Sequence, residues 1–261
     1  MASYLIKWRL LAQTAPYAGL ILLLKVGLIY LSFDGLIALS EIRIIFTSGI
    51  FLTGFMLAGT LADYKESERI PGRIASLLEG LEEMSVTLAM QAKIEPSAIR
   101  KELLAIGQSI NDWFHKRIDE KTLHAGLTAY NDTIRNLLKS GGAPPIIGRT
   151  HQYIFDLRSI LTRTDVISRT GFLSTGYALL ELILITITVL LLLTKFSSPV
   201  SMAFIVFFVE LLYIYMYRLI SDIDDPFEYS PDAEAPQDHT ASTEVPIFPL
   251  LDYLDRLKGR I

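Results

Sequence analysis

Residues 44–62, IIFTSGIFLTGFMLAGTLA, form an unbroken apolar run without a single charge. As a helix rising about 1.5 Å per residue, the run crosses close to the roughly 30 Å of a bilayer's hydrocarbon core. Three further windows of this kind follow the same logic: 17–33, 171–194 and 200–217. The first contains Lys25 and lacks a small-residue cleavage pattern after it, so it is expected to be a true span rather than a signal peptide. The whole composition agrees, because 261 residues that are 51% apolar and 20% charged hold more apolar surface than a soluble core of this size needs.

Orientation follows from the basic residues, since loops rich in Lys and Arg resist translocation. The segment 64–170 holds 15 of the 24, whereas the two short hairpin loops offer only Arg43 and Lys195. The middle segment and both termini are therefore expected in the cytoplasm, and the spans in a cell inner membrane. Five parts result: an interfacial N-terminal segment 1–16, a hairpin 17–63, a cytoplasmic helical domain 64–170, a second hairpin 171–220, and an acidic tail 221–261. Cysteine is absent, which removes disulfides and thiolate chemistry. The net charge of -4 reflects the acidic tail, and no basic run points to nucleic acid.

Within the middle segment the apolar period is helical. Ile74, Leu77, Leu78, Leu81, Met84 and Leu88 mark one stripe; Ile99, Leu103, Ile106, Ile110 and Trp113 a second, opened by Pro96 in a first turn where a missing N–H costs little. Leu123, Leu127, Tyr130, Ile134, Leu137 and Leu138 mark a third, closed by Gly141 and Gly142. A fourth, with Tyr153, Leu157, Ile160 and Leu161, starts after Pro144 and Pro145. A bundle continuous with the membrane helices is the simplest packing. Residues 228–245 are too polar to fold alone and are expected to be a flexible tail, before a short amphipathic pattern over 247–261. That last pattern either docks on the bundle or lies at the membrane surface.

Three charges sit inside apolar spans: Lys25, Glu181 and Glu210. Such groups are costly in lipid and face a bundle interior or water. Counting along the spans puts each near the midplane, so the expectation is an ionic cluster of Lys25 with one or both carboxylates, against the alternative of an ion or proton relay. The uncharged second span differs, being rich in small and hydroxyl residues that allow close helix approach and suit a wet face. Phe51 and Phe55, four apart, share one side of it. Around an axis of several copies that side makes an apolar constriction that gates by dewetting; otherwise the rings pack against lipid or neighbouring helices.

The order of parts resembles the bestrophin family of ion channels, specifically its short bacterial members. The resemblance is carried by the paired spans, the helical insert, the segment from Gly54 and Phe55 through Ala62-Asp63-Tyr64-Lys65-Glu66-Ser67-Glu68-Arg69-Ile70-Pro71, and Asp222-Ile223-Asp224-Asp225-Pro226-Phe227-Glu228 after the fourth span. It implies an all-α membrane protein that assembles as a homopentamer in the lipid bilayer around a central pore. The second span would then line a hydrophobic neck, with Phe51 and Phe55 at two neck positions and Thr47 where a third bulky residue is expected. Ser48, Thr53, Ala58 and Gly59 would add small or polar pore lining. In calcium-gated members the Asp-Pro-Phe region adjoins an acidic cation-binding loop, and Asp222, Asp224, Asp225 and Glu228 supply oxygens of the right type; a helix cap or salt link is the competing role.

The four histidines lack metal-ligand spacing, and neither a phosphate-binding glycine loop nor a nucleophile elbow is present, so no enzyme and no cofactor is expected. The sequence leaves two functions: an oligomeric channel for small monovalent ions, anions slightly favoured, or a membrane-anchored scaffold or sensor whose cytoplasmic bundle binds a partner.

Overall fold

The computed structural model describes residues 2–170, 174–229 and 244–261. It divides into two compact units, one containing Met1–Tyr64 with Thr170–Asp225, the other Lys65–Arg169 with the chain that returns after Pro226.

The first unit is built from α1 (Ala2–Tyr30), α2 (Leu39–Ser67), α7 (Ser174–Leu193) and α8 (Pro199–Asp224). Among the described residues four helices are long and apolar enough to cross a membrane, and they overlap the four expected windows. Residues 2–16 continue directly into the first span as part of α1, with Pro16 inside the helix. The first hairpin reverses through Gly35, whose φ of +102° is open to glycine and strained for other residues. A side chain there would also collide with the backbone, because an added Cβ would lie 2.7 Å from Lys195 N and from Thr194 C and O. That closeness lets β1 (Ile37–Ala38) pair in parallel with β2 (Thr194–Lys195), tying the loops of the two hairpins together. Leu36 N–H adds a bond to Leu193 O at 2.8 Å. The core of the unit gathers Ile187, Leu191, Met202, Val206 and Tyr213.

The second unit packs α3 (Ile70–Gln91), α4 (Pro96–Phe114), α5 (Glu120–Lys139), α6 (Pro144–Arg169) and α9 (Phe248–Lys258). The expected stripes are its core: Leu78, Leu81, Leu88, Leu103, Ile110, Leu127, Ile134 and Leu157 are fully buried. On α4, Phe114 rather than Trp113 takes the deepest place at the helix end. Gly80 lets α6 come close, since a Cβ there would meet the Tyr153 ring at 2.6 Å. Gly141, with φ +103°, ends α5 in a turn where Gly142 N–H donates to Leu137 O at 3.0 Å. Tyr130 of α5 donates to Ser85 Oγ of α3 at 2.7 Å in the buried interior. Burial pushes the Tyr130 phenol well above the ordinary tyrosine range, so it acts there as a neutral donor.

The C-terminal pattern docks on this bundle. Leu250, Tyr253, Leu254 and Leu257 of α9 are buried, and Tyr253 donates to Leu78 O at 3.3 Å. The buried Glu82 carboxylate sits between Arg100 at 2.9 Å and Arg260 at 2.8 Å. Phe227, Tyr229 and Val245 are buried too, and Val245 N–H donates to Pro226 O at 3.0 Å, so both ends of the stretch expected to be a flexible tail are folded in. Its middle, 230–243, lies outside the described residues.

Candidate functional site: the free face of the second span

Helix α2 is packed along one narrow stripe. Ile42, Gly49, Thr53, Thr60 and Ser67 are its buried positions, spaced seven and four apart, which a helix places on one side. Gly49 is small for a reason: an added Cβ would lie 2.6 Å from the Tyr213 hydroxyl of α8. That hydroxyl donates to Phe46 O at 2.7 Å, so α8 grips the backbone of α2 at the glycine. Thr53 donates back to Gly49 O at 2.8 Å and is only 2% exposed. It therefore belongs to the packed stripe, which corrects its expected place in the pore lining.

At about 100° per residue, Thr47, Phe51, Phe55 and Ala58 fall within an arc of roughly 80°, on the side opposite that stripe. All four are exposed, Phe51 by 71% and Phe55 by 73%. Ser48 and Gly59 flank this arc and are exposed as well. The Thr47 hydroxyl donates to Arg43 O at 3.0 Å, so its donor is used within the helix. The result is a free face with two large rings one turn apart and small or hydroxyl residues around them.

The intramembrane charges do not converge. Lys25 is fully buried, and its ammonium donates to Leu192 O at 2.8 Å and Thr194 O at 2.7 Å. Leu192 O lies in the last turn of α7 and Thr194 O just beyond it, where peptide oxygens lack helical partners and the helix dipole is negative, so a lysine is a fitting cap. Glu210 accepts instead from Thr188 at 3.2 Å, and Glu181 from Tyr217 at 3.2 Å. The expected Lys25 cluster is thus replaced by three separate contacts, and Lys25 lies near the loop end of the hairpin rather than midway. No sequence pattern announces this, because the acceptors are backbone atoms some 167 residues away along the chain.

The acidic segment is also divided. Tyr177 donates to Asp224 Oδ2 at 2.9 Å, while Asp222 and Glu228 are exposed. Among the described residues no group of three or more His, Cys, Asp or Glu side chains is placed to hold a metal ion. The proposed cation ligands are therefore not gathered into a site.

No family model matches the sequence, and no curated protein matches it. Among solved structures, one variant of a bacterial bestrophin homolog from Klebsiella pneumoniae aligns with a TM-score of 0.65 at 13% identity, covering 98% of this chain and 99% of that one. Another aligns at 0.67 with 14% identity, covering 93% and 98%. A crystallised membrane protein variant aligns at 0.68 with 15% identity, covering 91% and 97%. The molecule is an all-α membrane protein with two transmembrane hairpins and a helical domain between them. Its fold, more particularly, is that of the bacterial bestrophin homologs.

Proposed function

We propose that the chain assembles as a homo-oligomer, with five copies favoured, into a channel for small monovalent ions whose neck is formed by the Thr47, Phe51, Phe55 and Ala58 face of α2. The observation that carries the reading is the orientation of α2: its stripe of close contacts with α7 and α8 leaves this uncharged face on the opposite side of the helix. Symmetry mates meeting there would surround an axis with aromatic rings one turn apart, a geometry suited to hydrophobic gating. The bestrophin fold supports the assembly, and the resemblance implies some preference for anions. The helical domain would then face the cytoplasm, in keeping with its basic residues.

Ion flux from liposomes containing the purified protein tests the reading. Phe51→Ala and Phe55→Ala should each raise flux severalfold while leaving the oligomer intact. Native mass spectrometry should count five subunits. Silent liposomes from a well-folded oligomer, for the wild type and both variants, would overturn the channel and favour the scaffold.

A further inference from the structure

Helix α2 continues past the neck face without a break, as far as Ser67. At about 100° and 1.5 Å per residue, the step from Phe55 to Glu66 makes about three turns, so Glu66 lies about 16 Å further along the helix and within roughly 20° of the Phe55 direction. Ala62, between them, falls on the same side, and both Ala62 and Glu66 are exposed. The free face thus ends in a carboxylate, at the end of α2 that leads into the helical domain.

That carboxylate is held in place. Arg163 of α6 donates to it as a fork, Nε to Oε1 and Nη2 to Oε2, both at 3.0 Å. Two parallel N–H donors fix orientation as well as distance. The residues are 97 apart in the chain, so the fold and not helix spacing brings them together. Both side chains are about half exposed, and an ion pair so open to water adds little to stability. What the fork does fix is position, with one charge of each sign at the end of the face that carries Phe51 and Phe55. Lys65, at the edge of the same face, is matched by Glu68 at 2.7 Å. Both cations of this collar therefore stand against a carboxylate.

We propose that the Glu66–Arg163 pair determines ion preference in the proposed channel, the reading on which this inference rests. Repeated around the axis, the pair sets a ring of carboxylates against a ring of guanidinium groups at the helical-domain end of the neck. A ring of one sign selects by attraction, whereas a masked ring does not. Glu66 masks Arg163, so ions of either sign meet no net charge from the pair, and only a slight preference for anions is left.

Reversal potentials in planar bilayers under a KCl gradient test this with the full-length protein. Glu66→Gln should raise the chloride-to-potassium permeability ratio by roughly threefold or more, the effect of a unit charge within a Debye length of the path, and Arg163→Gln should lower it by about as much. The double variant should return it close to the wild-type value. Glu79→Gln, which breaks an ion pair of similar exposure between α3 and α9, should leave it unchanged. The chain has no cysteine, so Glu66→Cys supplies a single reactive thiol. Modifying that thiol in the bilayer with a sulfonate-bearing thiosulfonate should restore the ratio, and a trimethylammonium-bearing one should raise it further. Currents whose ratio is the same in the wild type and both single variants would overturn this inference alone. So would single variants that shift it in one common direction. Bilayers silent for every variant would overturn the channel reading and this inference with it.

Discussion

Gly49→Ala tests the orientation of α2, on which the neck depends. The new Cβ would lie 2.6 Å from the Tyr213 hydroxyl and 3.3 Å from Ile183 Cγ2. An ordinary carbon–oxygen contact needs about 3.3 Å or more, so the tyrosine must retreat by roughly 0.7 Å. The Ile183 contact, tight but not impossible, closes one direction of escape. Retreat breaks the 2.7 Å bond to Phe46 O. Overpacking of this kind costs about 1–3 kcal/mol, and the lost hydrogen bond adds about 1 kcal/mol. Gly54→Ala is the internal control, because nothing lies within 4 Å of its added Cβ. There the substitution should be neutral or stabilising by up to about 1 kcal/mol, since glycine weakens a helix interior. Thermal unfolding in detergent, read by intrinsic fluorescence, should separate the two variants clearly. Tyr213→Phe removes the clashing oxygen, so combined with Gly49→Ala it should cost less than the sum of the single changes, a coupling of at least about 0.5 kcal/mol. If Gly49→Ala behaves like Gly54→Ala, or the double variant is additive, α2 does not meet α8 at this glycine. The assignment of Phe51 and Phe55 to a free face then falls with it.

Three further outcomes are expected. Lys25→Met should destabilise the protein by about 1–3 kcal/mol by uncapping α7, and Glu181→Gln or Glu210→Gln should add to it without coupling, since they share no partner; coupling above about 0.5 kcal/mol in double-variant melting cycles would restore the ionic cluster. Gly35→Ala should cost more than about 2 kcal/mol in the same melts, from strained φ and from collision with the β2 backbone, and an unchanged melting temperature would contradict the hairpin junction. The Thr122 hydrogen bonds hold the Asp119 carboxyl below the usual carboxylate range. Its contribution is therefore present above the ordinary aspartate value of about 4 and is lost as pH falls through the lower folded value, so the stability gap to Asp119→Ala should narrow in acid and stay flat from neutral pH down to about 5.

Residue chemistry alone settled the four spans, the all-helical middle and its apolar stripes, because hydrocarbon thickness and the 3.6-residue period leave few other readings of runs such as 44–62 or 74–88. It also placed Phe51 and Phe55 on one side of α2, since spacing along a helix fixes relative direction. Tertiary structure decided which side of that helix is free. Thr53 and Ser48 look alike as letters, yet Thr53 turns inward and Ser48 outward because Gly49 admits Tyr213. Lys25 and the two glutamates show the same limit: charge and depth can be counted from sequence, but a buried ammonium takes whatever acceptors the fold brings within reach, and here those are carbonyls in and just beyond the last turn of α7. Backbone acceptors carry no side-chain signature, so only the packed chain reveals them.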